Sequence, residues 1–95
     1  MAQIRVPEHS VPVHSKCDVL VCGGGCAGVS AAVSAARHGA EVILLERWPS
    51  VGGLATNGLV NGWHRSDREK MVIYGLVEES AQRADKGGWI RQDEK

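Results

Sequence analysis

The sequence predicts an α/β fold that opens with a βαβ unit. Three features of the stretch Cys17 to Glu46 carry that expectation. Two short apolar runs, Val19 to Cys22 and Val42 to Leu45, have the length and residue types of parallel strands. Between them lies an uncharged run rich in Ala and Val, long enough for a helix. Glycines sit at both joints, Gly23-Gly24-Gly25 before the run and Gly39 after it.

The elements follow in order. Met1 to Lys16 is a lead-in, kept out of a helix by Pro7 and Pro12. Val11 and Val13 alternate with polar neighbours and are read as a short edge strand. His9 and His14 are read as solvated. The first core strand, Val19 to Cys22, runs into Gly23, Gly25 and Gly28, which make G-x-G-x-x-G. The first Gly allows the sharp exit from the strand. The second keeps a Cβ away from an approaching pyrophosphate. The third lets the helix lie close on the strand. The helix is expected from about Cys26, with its free N–H groups and dipole directed at the phosphates. Ala32 and Ala36 continue the small-residue stripe from Gly28 at steps of four. Gly39 is placed to end the helix. The second strand, Val42 to Leu45, is closed by Glu46, 18 residues after Gly28. A carboxylate there accepts hydrogen bonds from ribose hydroxyls. The combination indicates a dinucleotide site. A plain glycine-rich turn in an ordinary βαβ unit is the other reading.

Composition narrows the class. The chain has 95 residues, a formal net charge of zero and 43% hydrophobic residues, an ordinary globular composition. Neutral charge argues against a nucleic-acid partner. A complete doubly wound nucleotide domain takes ~150 residues, and an enzyme on that scaffold adds a substrate domain. The expectation is therefore an incomplete domain, with residues 1–16 as lead-in and 17–95 as partial dinucleotide-binding domain. Such a piece is expected to self-associate or to need the remaining C-terminal part.

Cys17, Cys22 and Cys26 form no disulfide framework and are read as small packing residues, not metal ligands. The uncharged stretch Val19 to Ala36 holds three consecutive glycines and switches at once to a second strand. This excludes a membrane span or signal peptide there, and makes a cytoplasmic location the default.

After Glu46 the chain reads Arg47-Trp48-Pro49-Ser50-Val51-Gly52-Gly53, then Leu54-Ala55-Thr56-Asn57-Gly58-Leu59-Val60-Asn61. Glu-Arg at the strand end with Gly-Gly a few residues on resembles the glutathione-reductase-like flavoprotein superfamily. The "GG-x-A-T-x-G-L-V" that follows is similar to the FAD-dependent oxidoreductase family. The resemblance spans roughly residues 11 to 90 and is strongest from Gly23 to Gly58. It implies a Rossmann-like FAD/NAD(P)-binding domain, here incomplete, with one further helix.

The resemblance also implies roles. Gly25, Cys26, Ala27 and Gly28 would hold the FAD pyrophosphate, after the turn begun by Gly23. Glu46 would bind the adenosine ribose and Arg47 would lie along the adenine. Gly52 and Gly53 would let backbone pass close to the diphosphate and ribityl chain. Ala55, Thr56 and Asn57 would approach the flavin. Cys26-Ala27 departs from the Pro-Ala common in such proteins. Some relatives carry iron–sulfur clusters in other segments, and this chain holds no cysteines for them. Read without the resemblance, Gly52, Gly53, Gly58 and Gly62 mark either close approach of main chain to a flat ligand or an ordinary surface loop.

His64 is a weak candidate acid or base, with an exposed loop histidine as the alternative. Trp63 reads as a packing anchor. Asp67 is placed to cap a second helix, expected from about Met71 through Ile73, Leu76, Val77, Ala81 and Ala84. Gly75 weakens its start and Gly87-Gly88 end it. A covering helix needs no further function. Trp89 to Lys95 is a charged tail.

The expected function is the FAD-binding part of an oxidoreductase acting on a small molecule, with hydride or electron transfer at the flavin. An NAD(P)-dependent dehydrogenase fragment and a non-catalytic nucleotide-binding module remain alternatives.

Overall fold

Strand β1, Val19–Cys22, and strand β2, Val42–Leu45, pair in parallel, with Val19 opposite Val42 and Cys22 opposite Leu45. Helix α1, Cys26–Arg37, connects them. A single 3-10 turn, Gly53–Ala55, follows β2, and helix α2 spans Leu76–Lys86. These elements come from a computed structural model, which describes residues 1–63 and 70–90. The predicted bounds of both strands and the start of α1 hold.

Register is set at both ends of the pair. At the start, Asp18 and Val19 donate their N–H groups to the Glu41 carbonyl at 2.9 and 3.1 Å. The Asp18 carboxylate accepts from the Glu41 N–H at 2.8 Å. At the far end the Gly23 N–H reaches the Leu45 carbonyl at 2.8 Å, so the ladder runs into the turn. A one-residue slip would lose these bonds and turn Val19 and Val21 away from α1.

Helix α1 covers one face of the sheet. Val19 and Val21 are half-buried, while Leu20 and Cys22 are exposed. Gly28 is the closest approach. A Cβ built there would lie 1.7 Å from the Gly23 carbonyl oxygen. The small-residue stripe continues through Ala32 and Ala35, both half-buried, and Ala36 is exposed. Two steps of four overshoot a full number of turns by about 80°, whereas a step of seven falls short by about 20°.

Both helices end in the same way. The Gly39 N–H bonds the Ala36 carbonyl, and the Ala40 N–H bonds the Ala35 carbonyl. In α2 the Gly88 N–H bonds Asp85 and the Trp89 N–H bonds Ala84. These are paired Schellman bonds, with Gly39 at φ 91° and Gly88 at φ 74°.

Three expectations need correction. Val11 and Val13 form no strand: residues 1–17 carry no regular structure, and both side chains are exposed. The only strand pairing among the described elements is β1 with β2, so no neighbouring edge takes up this segment. Helix α2 starts at Leu76, not Met71, because Gly75 adopts φ 72°, ψ −135° and stands before it as the cap. Cys22 and Cys26 are exposed rather than packed, since Cys22 points to the open sheet face and Cys26 stands at the mouth of the turn. His64, the Asp67 cap and most of the charged tail lie outside the described residues.

Ala81 is the one buried apolar residue among those described. The radius of gyration is 18.6 Å, against about 12 Å for a compact domain of this length. Ala81 lies on α2, whose Leu76 and Val77 are half-buried, and an ion-pair clasp also ties this helix to α1. Arg37 donates to both Glu79 carboxylate oxygens at 2.7 and 2.8 Å, and Arg83 adds a bond at 2.9 Å. The hydrogen bonds and charge of Arg37, then those of Arg83, hold the Glu79 carboxyl down to about 2. A lowered carboxyl stabilises the fold in full above its ordinary value of 4.5, and the effect is lost as pH falls through about 2. Glu79→Gln is expected to loosen α2 at pH 7 and to remove this acid dependence. Amide hydrogen exchange along Leu76–Lys86, measured at pH 7 and pH 3, checks it. Unchanged protection in the variant would show that the clasp is idle.

Candidate functional site

The carboxyl ends of both strands, the glycine turn and the start of α1 converge on one corner of the molecule. In open α/β sheets this is where ligands bind. Gly23, at φ 105°, takes the chain sharply out of β1. Gly25 is the cap of α1, with φ −69° and ψ −173°, and no side chain caps the helix. The N–H groups of the first turn, from Cys26 through Gly28, have no intrahelical partners by the geometry of a helix. A Cβ added at Gly25 meets nothing within 4 Å. An uncapped helix N-terminus facing open space is the arrangement that receives a phosphate group.

Glu46 ties this turn to the end of β2. Its Oε2 accepts from the Gly24 N–H at 2.7 Å. Its Oε1 accepts from the N–H groups of Arg47 at 2.7 Å and Trp48 at 3.2 Å. The backbone N–H groups of Trp48 and Gly24 lead in holding its carboxyl below the usual range. A carboxylate offers about four acceptor sites. Three are taken here, so one remains for an incoming hydroxyl.

The second glycine cluster comes to the same corner. The Gly52 N–H donates to the Gly24 carbonyl at 2.7 Å, and Cys26 Sγ donates to the Gly52 carbonyl at 3.3 Å. A Cβ on Gly53 would stand 3.0 Å from the Gly25 Cα. The two glycine motifs, far apart in sequence, thus share one backbone surface. Thr56 donates to the Val51 carbonyl at 2.6 Å. Asn57 accepts from the Ser50 hydroxyl at 2.6 Å and donates to the Ser50 carbonyl at 3.3 Å. These two side chains close their own loop.

The structure therefore gathers Gly23, Gly25, Cys26, Ala27, Gly28, Glu46, Gly52 and Gly53, with Ala55 on the 3-10 turn beside them. Arg47 is exposed at the rim. Sequence reasoning missed Gly24, which is buried: a Cβ there would stand 2.8 Å from Glu46 Oε2. Its place inside a triple glycine was the available signal. It also missed Trp48, which lines a cleft of about 400 Å³ with Cys22, Gly23, Leu45, Glu46 and Arg47.

A model of the FAD-dependent oxidoreductase family matches residues 18–95. The chain belongs to this family. FAD is its cofactor, and the open cap of α1 and the glycine surface beside it fit a diphosphate. The fumarate reductase (cytochrome) of Shewanella frigidimarina is 44% identical over 62 residues, 62% of this chain and 11% of that protein. The NADH:acrylate oxidoreductase of Vibrio harveyi is 43% identical over 62 residues, 63% of this chain and 6% of that protein. The vinyl phenol reductase of Lactiplantibacillus plantarum is 48% identical over 48 residues, 48% of this chain and 10% of that protein. The flavoprotein chain thus spans about a tenth or less of the length of these relatives. No solved structure matches it at a significant level. Among the described residues, no helix is long and apolar enough to cross a membrane.

Proposed function

We propose that this segment holds the ADP half of FAD for an oxidoreductase. The observation that carries the reading is the joining of the open α1 cap to the Glu46 carboxylate through Gly24. In it, an uncapped helix N-terminus and a carboxylate with an acceptor position to spare lie side by side, which suits a phosphate and a ribose. Cys26, Ala27 and Gly28 would donate backbone N–H groups to the pyrophosphate. Glu46 would accept one ribose hydroxyl at its remaining site. Gly52 and Gly53 would let the chain pass along the diphosphate, and Ala55 to Asn57 would shape the path toward the flavin. When bound, FAD supplies hydride or electron transfer at its ring. This chain's residues bind and orient it. The substrate is a small molecule met by residues outside this corner. The exposed sheet face is covered by self-association or by further polypeptide. The three free thiols fit a cytoplasmic location.

The test is Glu46→Ala, read as competition between FAD and FMN. Loss of a charge-assisted hydrogen bond is expected to weaken FAD by about tenfold or more and to leave FMN, which has no adenosine, unchanged. Equal loss of both would remove Glu46 from the ribose. A nicotinamide dinucleotide carries the same ADP half, and the flavin absorbance of the purified protein separates the two.

A further inference from the structure

We propose that the groove between α1 and α2 is a ligand site apart from the glycine corner, and that it takes an elongated aliphatic carboxylate. The groove holds about 790 Å³, a volume in the range of small-molecule sites. It runs the length of α1, because Cys26 and Arg37, the first and last residues of that helix, both line it. A helix of 12 residues is about 18 Å long. The occupant is therefore elongated.

The middle of the groove is apolar. Val29 and Val33 line it from α1, Leu76 and Val77 from α2, and Trp63 and Ile73 from the chain between. The neutral side-chain donors on the described wall are already engaged. Cys26 Sγ donates to the Gly52 carbonyl at 3.3 Å and Ser30 to the Cys26 carbonyl at 2.8 Å. Thr56 donates to Val51, Ser80 to the Leu76 carbonyl at 2.7 Å, and the Trp63 ring N–H to the Val60 carbonyl at 3.0 Å. A polar body laid here would give up water and meet no free donor from these groups, which is costly. An extended peptide is disfavoured for the same reason, since its carbonyls need donors. An aliphatic body has no such need.

Charge enters at the Arg37 end. The charged residues among the described lining are Arg37, Glu79 and Arg83, two cations and one anion. Glu79 accepts two N–H groups from Arg37 and the Nε–H of Arg83, with Arg83 Nη2 2.8 Å away. A guanidinium carries five donors, so both arginines keep N–H groups to spare. Their side chains are 53% and 75% exposed. Planar forks with spare donors and one excess positive charge match a carboxylate head. The aliphatic body then lies back along Val33 and Val29.

The probe is dodecanoate, with dodecanol as its uncharged counterpart. In the full chain with Trp48→Phe and Trp89→Phe, emission reports Trp63 on the groove wall alone. Dodecanoate is expected to shift this emission to the blue, saturably, and to bind about tenfold more tightly than dodecanol. Arg83→Gln leaves the Arg37–Glu79 pair in place, and is expected to weaken dodecanoate by about tenfold while leaving dodecanol unchanged. Ser80→Phe, at an exposed position on the wall, is expected to block both. ADP is expected not to displace dodecanoate. Equal affinity for dodecanoate and dodecanol would overturn the proposal, as would dodecanoate affinity untouched by Arg83→Gln or Ser80→Phe. Displacement by ADP would overturn it by returning the ligand to the glycine corner. Trp63 emission that moves with chain concentration alone would give the groove to a second copy, and would overturn it as well.

Discussion

Gly28→Ala is expected to break the βαβ unit itself. The new Cβ would stand 1.7 Å from the Gly23 carbonyl oxygen and 2.9 Å from its carbon. Both are backbone atoms at the exit of β1, so no rotamer change relieves the clash. Either α1 lifts from the sheet or the turn moves, and the Gly23 N–H bond to Leu45 goes with it. Overpacking in a well-fitted contact costs about 1–3 kcal/mol, and a collision with main chain belongs at the top of that range. In a thin fold this is a large share of the total. A fall in the denaturation midpoint, with α1 amides losing exchange protection, is the expected result. A midpoint equal to that of the native chain would mean that helix and strand do not touch at Gly28.

Gly25→Val is expected to do the opposite: spare the fold and remove the ligand. Gly25 has φ −69° and ψ −173°, which any residue adopts. Its Cβ direction is open, with no atom within 4 Å. A valine there costs the helix cap no more than about 1 kcal/mol. Its methyl groups, however, project into the space in front of the α1 N-terminus. FAD affinity is expected to fall by more than tenfold, or more than ~1.4 kcal/mol. Titration with FAD beside a denaturation curve checks both halves. Unchanged flavin affinity would move the diphosphate away from this turn. The pair of glycines thus separates a packing role from a binding role within one motif.

The packing task of Gly28 was legible in the sequence. Gly23, Gly25 and Gly28 differ in what their missing side chains permit, and the spacing alone assigns each a task. The two strands were legible for a similar reason. Their apolar runs are short, bounded by glycine or charge, and of one length. What was not legible depends on contacts between distant segments. Glu46 was read as a ligand group, yet it also binds the Gly24 N–H, 22 positions earlier in the chain. No spacing rule shows that its oxygens are three-quarters engaged before a ribose arrives. Arg37 and Glu79 likewise meet across 42 positions. The start of α2 was misplaced because periodicity reads Ile73 as part of the helical face. The left-handed backbone at Gly75 overrides that pattern. Ala36 was misplaced because steps of four drift around a helix of 3.6 residues per turn. Nor does the sequence show that the polar atoms of Thr56 and Asn57 bond within their own loop, to Val51 and Ser50.

The central claim is that this corner receives the ADP half of FAD. The most direct measurement is the titration of ADP into the isotope-labelled chain, followed by amide chemical shifts. The account predicts saturable shifts at Gly23 through Gly28 and at Arg47 and Trp48, with little change along α2. Shifts confined to the groove of about 790 Å³ between α1 and α2, lined by Val29, Val33, Leu76 and Val77, or no shifts at all, would contradict it.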